Sequence, residues 1–216
     1  MKNLKPILLL ALMLTLCSCQ HRVDLGTDKL LTETFSKDEI QSFESMVDYV
    51  DKMVLAKTKE TDINKAYHQF FELMSQTIKD SSKFLVPFNE KDKYDFLEKM
   101  DTTAFNDIWR ISTNLKMVRY QDTIYRDLEN FKTLYLKPVG NYMDYLKKLG
   151  DTDEFFKSLH ESIEVAGDLP ASIAVYFPEN HNKFDFNIPK NRLWATIYIL
   201  RIQESVDIKM KRYLNK

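Results

Sequence analysis

An all-α fold is what the sequence predicts for the body of this chain, an irregular bundle of about seven or eight amphipathic helices. Three observations carry that expectation. Apolar residues recur at alternating spacings of three and four, the period of one helical face. Only four glycines occur in 216 residues, too few for the many tight turns of an all-β fold. No segment of useful length alternates apolar and polar residues with period two, as a half-buried strand would. Aromatic residues make up 12% of the chain, which argues against disorder over most of its length.

The elements follow in order. Ser36 and Glu39 read as a capping box, hydroxyl and carboxylate each satisfying a backbone N–H at the helix start. Ile40, Phe43, Val47, Val50 and Val54 then form one stripe, widened by Met46 and Met53, and this predicts a helix to about Lys57. Thr61 or Asp62 caps the next helix, with Ile63, Ala66, Phe70, Leu73 and Thr77 inward and Tyr67 and Met74 beside them. The short polar connection makes these two helices an antiparallel hairpin. The segment Phe84-Leu85-Val86-Pro87-Phe88 reads as an extended apolar connector, and a third helix is expected from about Lys91 to Met100.

Asp101 caps the next expected helix, with Ala104, Ile108, Ile111, Leu115 and Val118 inward. Another follows, marked by Ile124, Leu128, Phe131 and Tyr135, and stops or kinks at Pro138, which has no N–H to donate. Val139, Tyr142, Tyr145 or Leu146, and Leu149 continue the stripe to Gly150, placed just past a helix end. Asp151 with Glu154 reads as a second capping box before Phe156, Leu159, Ile163 and Ala166, and Gly167 closes that helix. Pro170 suits the first turn of a short helix to about Phe177. Residues 178–189, with a proline at each end and three asparagines between, read as the longest ordered loop. The last helix is expected from about Asn191 to Tyr213, with Ala195, Ile199, Ile202, Val206, Met210 and Tyr213 inward.

The first twenty residues have a different character. Lys2 and Lys5 precede an apolar run, Ile7 to Leu16, in which only Thr15 is polar. A charged start followed by an apolar core of about 7–15 residues is the order of a secretory signal, and the run falls short of the roughly 20 residues a spanning helix needs. Leu16-Cys17-Ser18-Cys19 then resembles the lipobox of bacterial lipoproteins: an aliphatic residue, two small residues and a cysteine. The resemblance implies cleavage between Ser18 and Cys19, a diacylglycerol thioether on the Cys19 sulfur and an acyl chain on its new amino group. Cys17 is the poorer acceptor, because bulky Leu16 would precede it, and it departs from the commoner small non-cysteine residue at that place. Gln20 follows the cysteine, whereas aspartate there resembles an inner-membrane retention signal. The resemblance thus implies an outer-membrane lipoprotein facing the periplasm.

This divides the chain into a signal peptide over 1–18, a lipidated N-terminus and tether over 19–35, and a single helical domain over 36–216. A flexible tether of that size spans on the order of 20–25 Å. With Cys17 removed and Cys19 acylated, no thiol remains for a disulfide, a nucleophile or a metal site. Loss of Lys2 and Lys5 from 31 basic residues leaves 29 against 32 acidic ones, a net charge of −3. That balance supplies no basic footprint for nucleic acid and no polybasic membrane patch. The membrane is therefore contacted through the lipid, and an envelope protein or a small ligand is the expected partner.

No constellation of catalytic residues stands out, and no cofactor is expected. His68 with Glu72 and His160 with Glu164 are each four apart, which places two ligands on one helical face. Lys65 and Lys157 occupy the positions where a Glu-x-x-His di-metal bundle needs glutamate, so surface pairing is the simpler reading. Glu179-Asn180-His181-Asn182 is a denser polar cluster that also suits a solvated turn. Tyr125, Tyr135, Tyr142, Tyr145, Trp194 and Tyr198 can line a groove but suit a core equally. The acidic residues lack the spacing of a calcium loop, and four scattered glycines cannot build a phosphate loop. The leading expectation is a non-enzymatic binding lipoprotein. The alternatives are a tethered metal-binding protein or enzyme using His68, His160 or His181, and an immunity-type protein.

Overall fold

The computed structural model describes residues 23–78 and 86–215. Ten α-helices, two 3₁₀ turns and four short strands occur among them, so the mainly helical expectation holds. The helices are α1 (Lys29–Thr34), α2 (Lys37–Thr58), α3 (Ile63–Ile78), α4 (Glu90–Leu97), α5 (Thr102–Ile108), α6 (Asn141–Gly150), α7 (Glu154–Ala166), α8 (Ala171–Glu179), α9 (Pro189–Arg201) and α10 (Val206–Leu214). The strands are β1 (Trp109–Ser112), β2 (Leu115–Tyr120), β3 (Thr123–Leu128) and β4 (Thr133–Leu136).

The chain is folded well before Ser36. Asp24 caps a 3₁₀ turn over Leu25–Thr27, Asp28 caps α1, and Leu25, Leu31 and Phe35 are all buried in the main core. Residues 25–35, expected within a flexible tether, are instead held in the domain by these three buried side chains. The capping box at Ser36 forms in full, with Ser36 Oγ accepting from the Glu39 N–H at 3.3 Å and Glu39 Oε2 accepting from the Ser36 N–H at 2.7 Å. Asp62, not Thr61, starts α3 by accepting from the Lys65 N–H at 2.9 Å. The buried face of α3 is Ala66, Tyr67, Phe70, Phe71 and Met74, while Leu73, expected inward, is exposed. Of the expected apolar connector, Phe84 and Leu85 lie outside the described residues, and Phe88 stacks on Tyr49 of α2.

The largest departure lies between residues 109 and 136, where strands replace the two expected helices. β1 pairs with β4 and β2 with β3, all antiparallel and nested, so the segment is one two-stranded ribbon. It breaks at 113–114 and 129–132, where the Phe131 N–H still reaches the Thr113 carbonyl. The residues have the composition of strands: Val118, Tyr120, Thr123, Ile124 and Tyr125 are β-branched or aromatic. The turn at Gln121-Asp122 lacks the glycine that marks most two-residue hairpins, and Gln121 takes a φ of 52° in its place.

Beyond the ribbon, α6 starts only at Asn141, and Val139 is exposed instead of continuing a stripe. Gly150 is the last residue of α6 and not its cap. A Cβ there would lie 2.8 Å from Lys157 Cα, so its role is to let α6 and α7 approach closely. Asp153 caps α7 by accepting from the Phe155 N–H, so the expected box from Asp151 does not form. Gly167 ends α7 in the left-handed conformation, as expected.

About half of the expected loop over 178–189 is regular structure. It contains the end of α8, a 3₁₀ turn over His181–Lys183, and a return in which Phe184 and Phe186 are buried. The expected final helix is split in two at 202–205, and Val206 is exposed. Every residue of α9 from Asn191 to Leu200 is buried, which makes it the central helix of the molecule. Around its first half lies a continuous aromatic cluster of Tyr67, Phe71, Phe155, Phe177, Phe184, Phe186 and Trp194.

Candidate functional site

The start of α4, one face of α10 and one turn of the ribbon frame a cleft of about 490 Å³. Asn89 caps α4 and Ser205 caps α10, fixing the two helices whose side chains form opposite walls. Asn130 adopts a φ of 58° and turns the chain so that Phe131 and Lys132 complete the lining. Tyr94 and Phe131, both buried, form the floor of the cleft beside partly exposed Tyr213, and Lys91, Lys132, Lys209 and Arg212 face two carboxylates, Glu90 and Asp95.

Glu90 is the buried hub of these charges. It lies 3.2 Å from Lys209 Nζ, 3.7 Å from Lys93 Nζ and 3.8 Å from Arg212 Nη2, and it accepts the Glu204 N–H at 3.0 Å. Lys209 also donates to Gln203 Oε1 at 2.9 Å and to the Lys132 carbonyl at 3.2 Å, so its ammonium is fully bonded. Lys93 is 1% exposed and donates to the Ile202 carbonyl at 2.8 Å. Burial pulls its pKa down to about 8 against the opposing pull of Glu90, and burial lowers that of Lys209 as well. The rim cations are held more loosely. Arg212 pairs with Glu204 at 2.5 Å and Lys132 with Glu98, both partners lying outside the lining. Arg212 and Lys132 are the more exposed cations of the cleft and the ones an arriving anion can reach.

The residues singled out from sequence fall in other places. Ser18 and Cys19 lie outside the described residues. His160 sits on α7 beside a second cleft of about 510 Å³ lined by Lys147, Asp151, Lys157, Glu161 and Glu164, which has no aromatic wall. His68 and His181 meet although 113 positions separate them, with their Nδ1 atoms 3.0 Å apart. Glu72, expected to pair with His68, instead places Oε2 3.4 Å from His181 Nε2. Among the described residues, no group of three or more histidines, cysteines or acidic residues is arranged to hold a metal ion.

Tyr142, Tyr145, Trp194 and Tyr198 are buried in the main core and line neither cleft. Tyr125 packs in the small second core beneath the ribbon, and Tyr135 lies under the guanidinium groups of Arg110 and Arg201. Sequence reasoning missed the aromatic-cationic cleft because its walls come from three separate segments. The one local signal was Lys209 and Tyr213, four apart and so on one face of the last helix.

No model of a known protein family, no curated protein and no solved structure matches the chain.

Proposed function

We propose that this chain is a membrane-anchored lipoprotein of a bacterial envelope, and that its helical domain is a binding module rather than an enzyme. The anchor rests on Lys2, Lys5, the Ile7–Leu16 run and the Leu16-Cys17-Ser18-Cys19 sequence. Leu25 is already buried in the core, so six residue steps separate it from Cys19, a reach of at most about 20 Å at full extension. A domain tethered that closely works near the head groups.

The observation that carries the binding reading is the combination of Tyr94, Phe131 and Tyr213 with Lys132 and Arg212 in one cleft. Aromatic faces receive a flat or apolar body, and the rim cations orient a carboxylate, phosphate or sulfonate. Glu90 and Asp95 are both engaged by lysines, so the cleft offers shape and charge rather than a free base.

Anilinonaphthalene sulfonate, an aromatic anion whose fluorescence rises on binding, tests this directly. Saturable binding of one molecule per chain is expected. Arg212→Glu combined with Lys132→Glu should weaken it by about tenfold or more, while Lys157→Glu in the other cleft leaves it unchanged. Binding that does not saturate, or that ignores the double substitution in a variant with an intact near-ultraviolet circular dichroism spectrum, would contradict the assignment.

A further inference from the structure

We infer that His68 and His181 form a site for a single divalent transition-metal ion, ligated through both Nδ1 atoms, with copper(II) its tightest occupant. This goes beyond the cleft and is independent of it. Two nitrogens each about 2.0–2.1 Å from one ion and 3.0 Å apart subtend roughly 95° at the metal. That is near the right angle between neighbouring ligands of a square-planar or tetragonal ion, the geometry of copper(II) and nickel(II) with nitrogen and oxygen donors. A tetrahedral zinc ion needs a wider bite, so zinc binds more weakly here, in keeping with the general affinity order.

The surroundings suit a cation. The Glu72 carboxylate, 3.4 Å from His181 Nε2, favours the tautomer protonated on that nitrogen, which leaves the Nδ1 lone pair free for an ion. The negative charge of Asp185 also acts on His68. Solvent completes the coordination. Both imidazoles are half-buried and held in place. The Phe186 ring packs edge-on against His68, its N–H donates to Asn64 Oδ1 at 2.7 Å, and its carbonyl accepts from Arg192 at 2.9 Å. The return of the chain that carries His181 is thus fixed against α3 before any ion arrives.

The test uses the full-length chain with Cys17→Ser and Cys19→Ser, so that no thiol competes, titrated with copper(II) chloride and separately with zinc chloride. One equivalent of copper should bind, tighter than zinc, with an electron paramagnetic resonance spectrum showing two coordinated imidazole nitrogens. His68→Ala and His181→Ala should each reduce that to one nitrogen and weaken binding at least about tenfold, and Glu72→Gln should weaken it by roughly 10-fold. His21→Ala and His160→Ala should change neither affinity nor spectrum. Circular dichroism checks each fold, and His181→Ala, on a surface turn, carries the test if His68→Ala fails to fold. Absence of stoichiometric binding, or a signal that survives His181→Ala, would show that the two rings share only a hydrogen bond.

Discussion

Arg192 and Asp51 stand 141 positions apart and meet in the interior. The guanidinium donates from Nε to Oδ1 at 2.9 Å and from Nη2 to Oδ2 at 2.7 Å, and Tyr67 Oη donates to Oδ1 at 2.8 Å. Arg192 is 1% exposed, so either partner left alone would be a buried, uncompensated charge. Asp51→Asn is therefore expected to lower stability by about 3–5 kcal/mol in urea denaturation, whereas Asp51→Leu with Arg192→Met should recover most of the loss. Asp107 gives a different result. Its Oδ2 is buried with no hydrogen-bond donor among the described residues, and the Glu39 carboxylate lies beside it. Burial first, then Glu39, raises the Asp107 pKa to about 6, while the bonds from Ser36 hold Glu39 below its ordinary value in spite of burial. A proton between the two carboxyls satisfies both. Between pH 3.8 and about 6 Asp107 keeps in the folded chain a proton that it has released in the unfolded chain, so its own contribution to stability falls as pH rises through that window. Asp107→Asn should remove that loss and leave the protein more stable than wild type at pH 7, as read from denaturation midpoints across pH. Neither contact was legible in the sequence, because periodicity reports which face of an element is apolar and not which distant residue meets it.

Among the elements, those with strong local signals were read well. The Ser36 capping box and the stripe from Ile40 to Val54 specify α2 to within a residue, since cap and apolar face agree. The ribbon over 109–136 was misread for a physical reason. Ile111, Leu115 and Val118 fall at spacings of four and three that mimic a helical face, and the turn at Gln121 carries no glycine to announce a hairpin. The single final helix was likewise over-extended, because the break at 202–205 is made by tertiary bonds: Gln203 accepts from the Leu134 N–H and donates to its carbonyl, continuing the edge of β4. Gly150 was recognised as special but given the wrong role. Its hydrogen faces the backbone of α7, and Gly150→Ala is expected to cost about 1–3 kcal/mol by forcing α6 and α7 apart. A thermal melt checks this, and an unchanged midpoint would mean that the two helices separate freely.

For the whole molecule, the sequence conveyed the helical class but not the site. A cleft assembled from α4, the ribbon turn and α10 depends on how three segments are brought together, and local pattern holds no trace of that. The same holds for His68 and His181, each visible alone and paired only by the fold. Leu25 is the first buried side chain among the described residues, so under the proposed lipidation only a short leash would separate Cys19 from the domain. No helix among the described residues is long and apolar enough to cross a membrane; the proposed attachment is through Cys19. Metabolic labelling with a radioactive fatty acid in a bacterial host, followed by membrane fractionation, tests that attachment most directly. The wild-type chain should carry label, appear at its cleaved size and sediment with membranes, and Cys19→Ser should abolish labelling and block cleavage. Label persisting in Cys19→Ser, or a wild-type chain that takes up none, would contradict the lipid anchor.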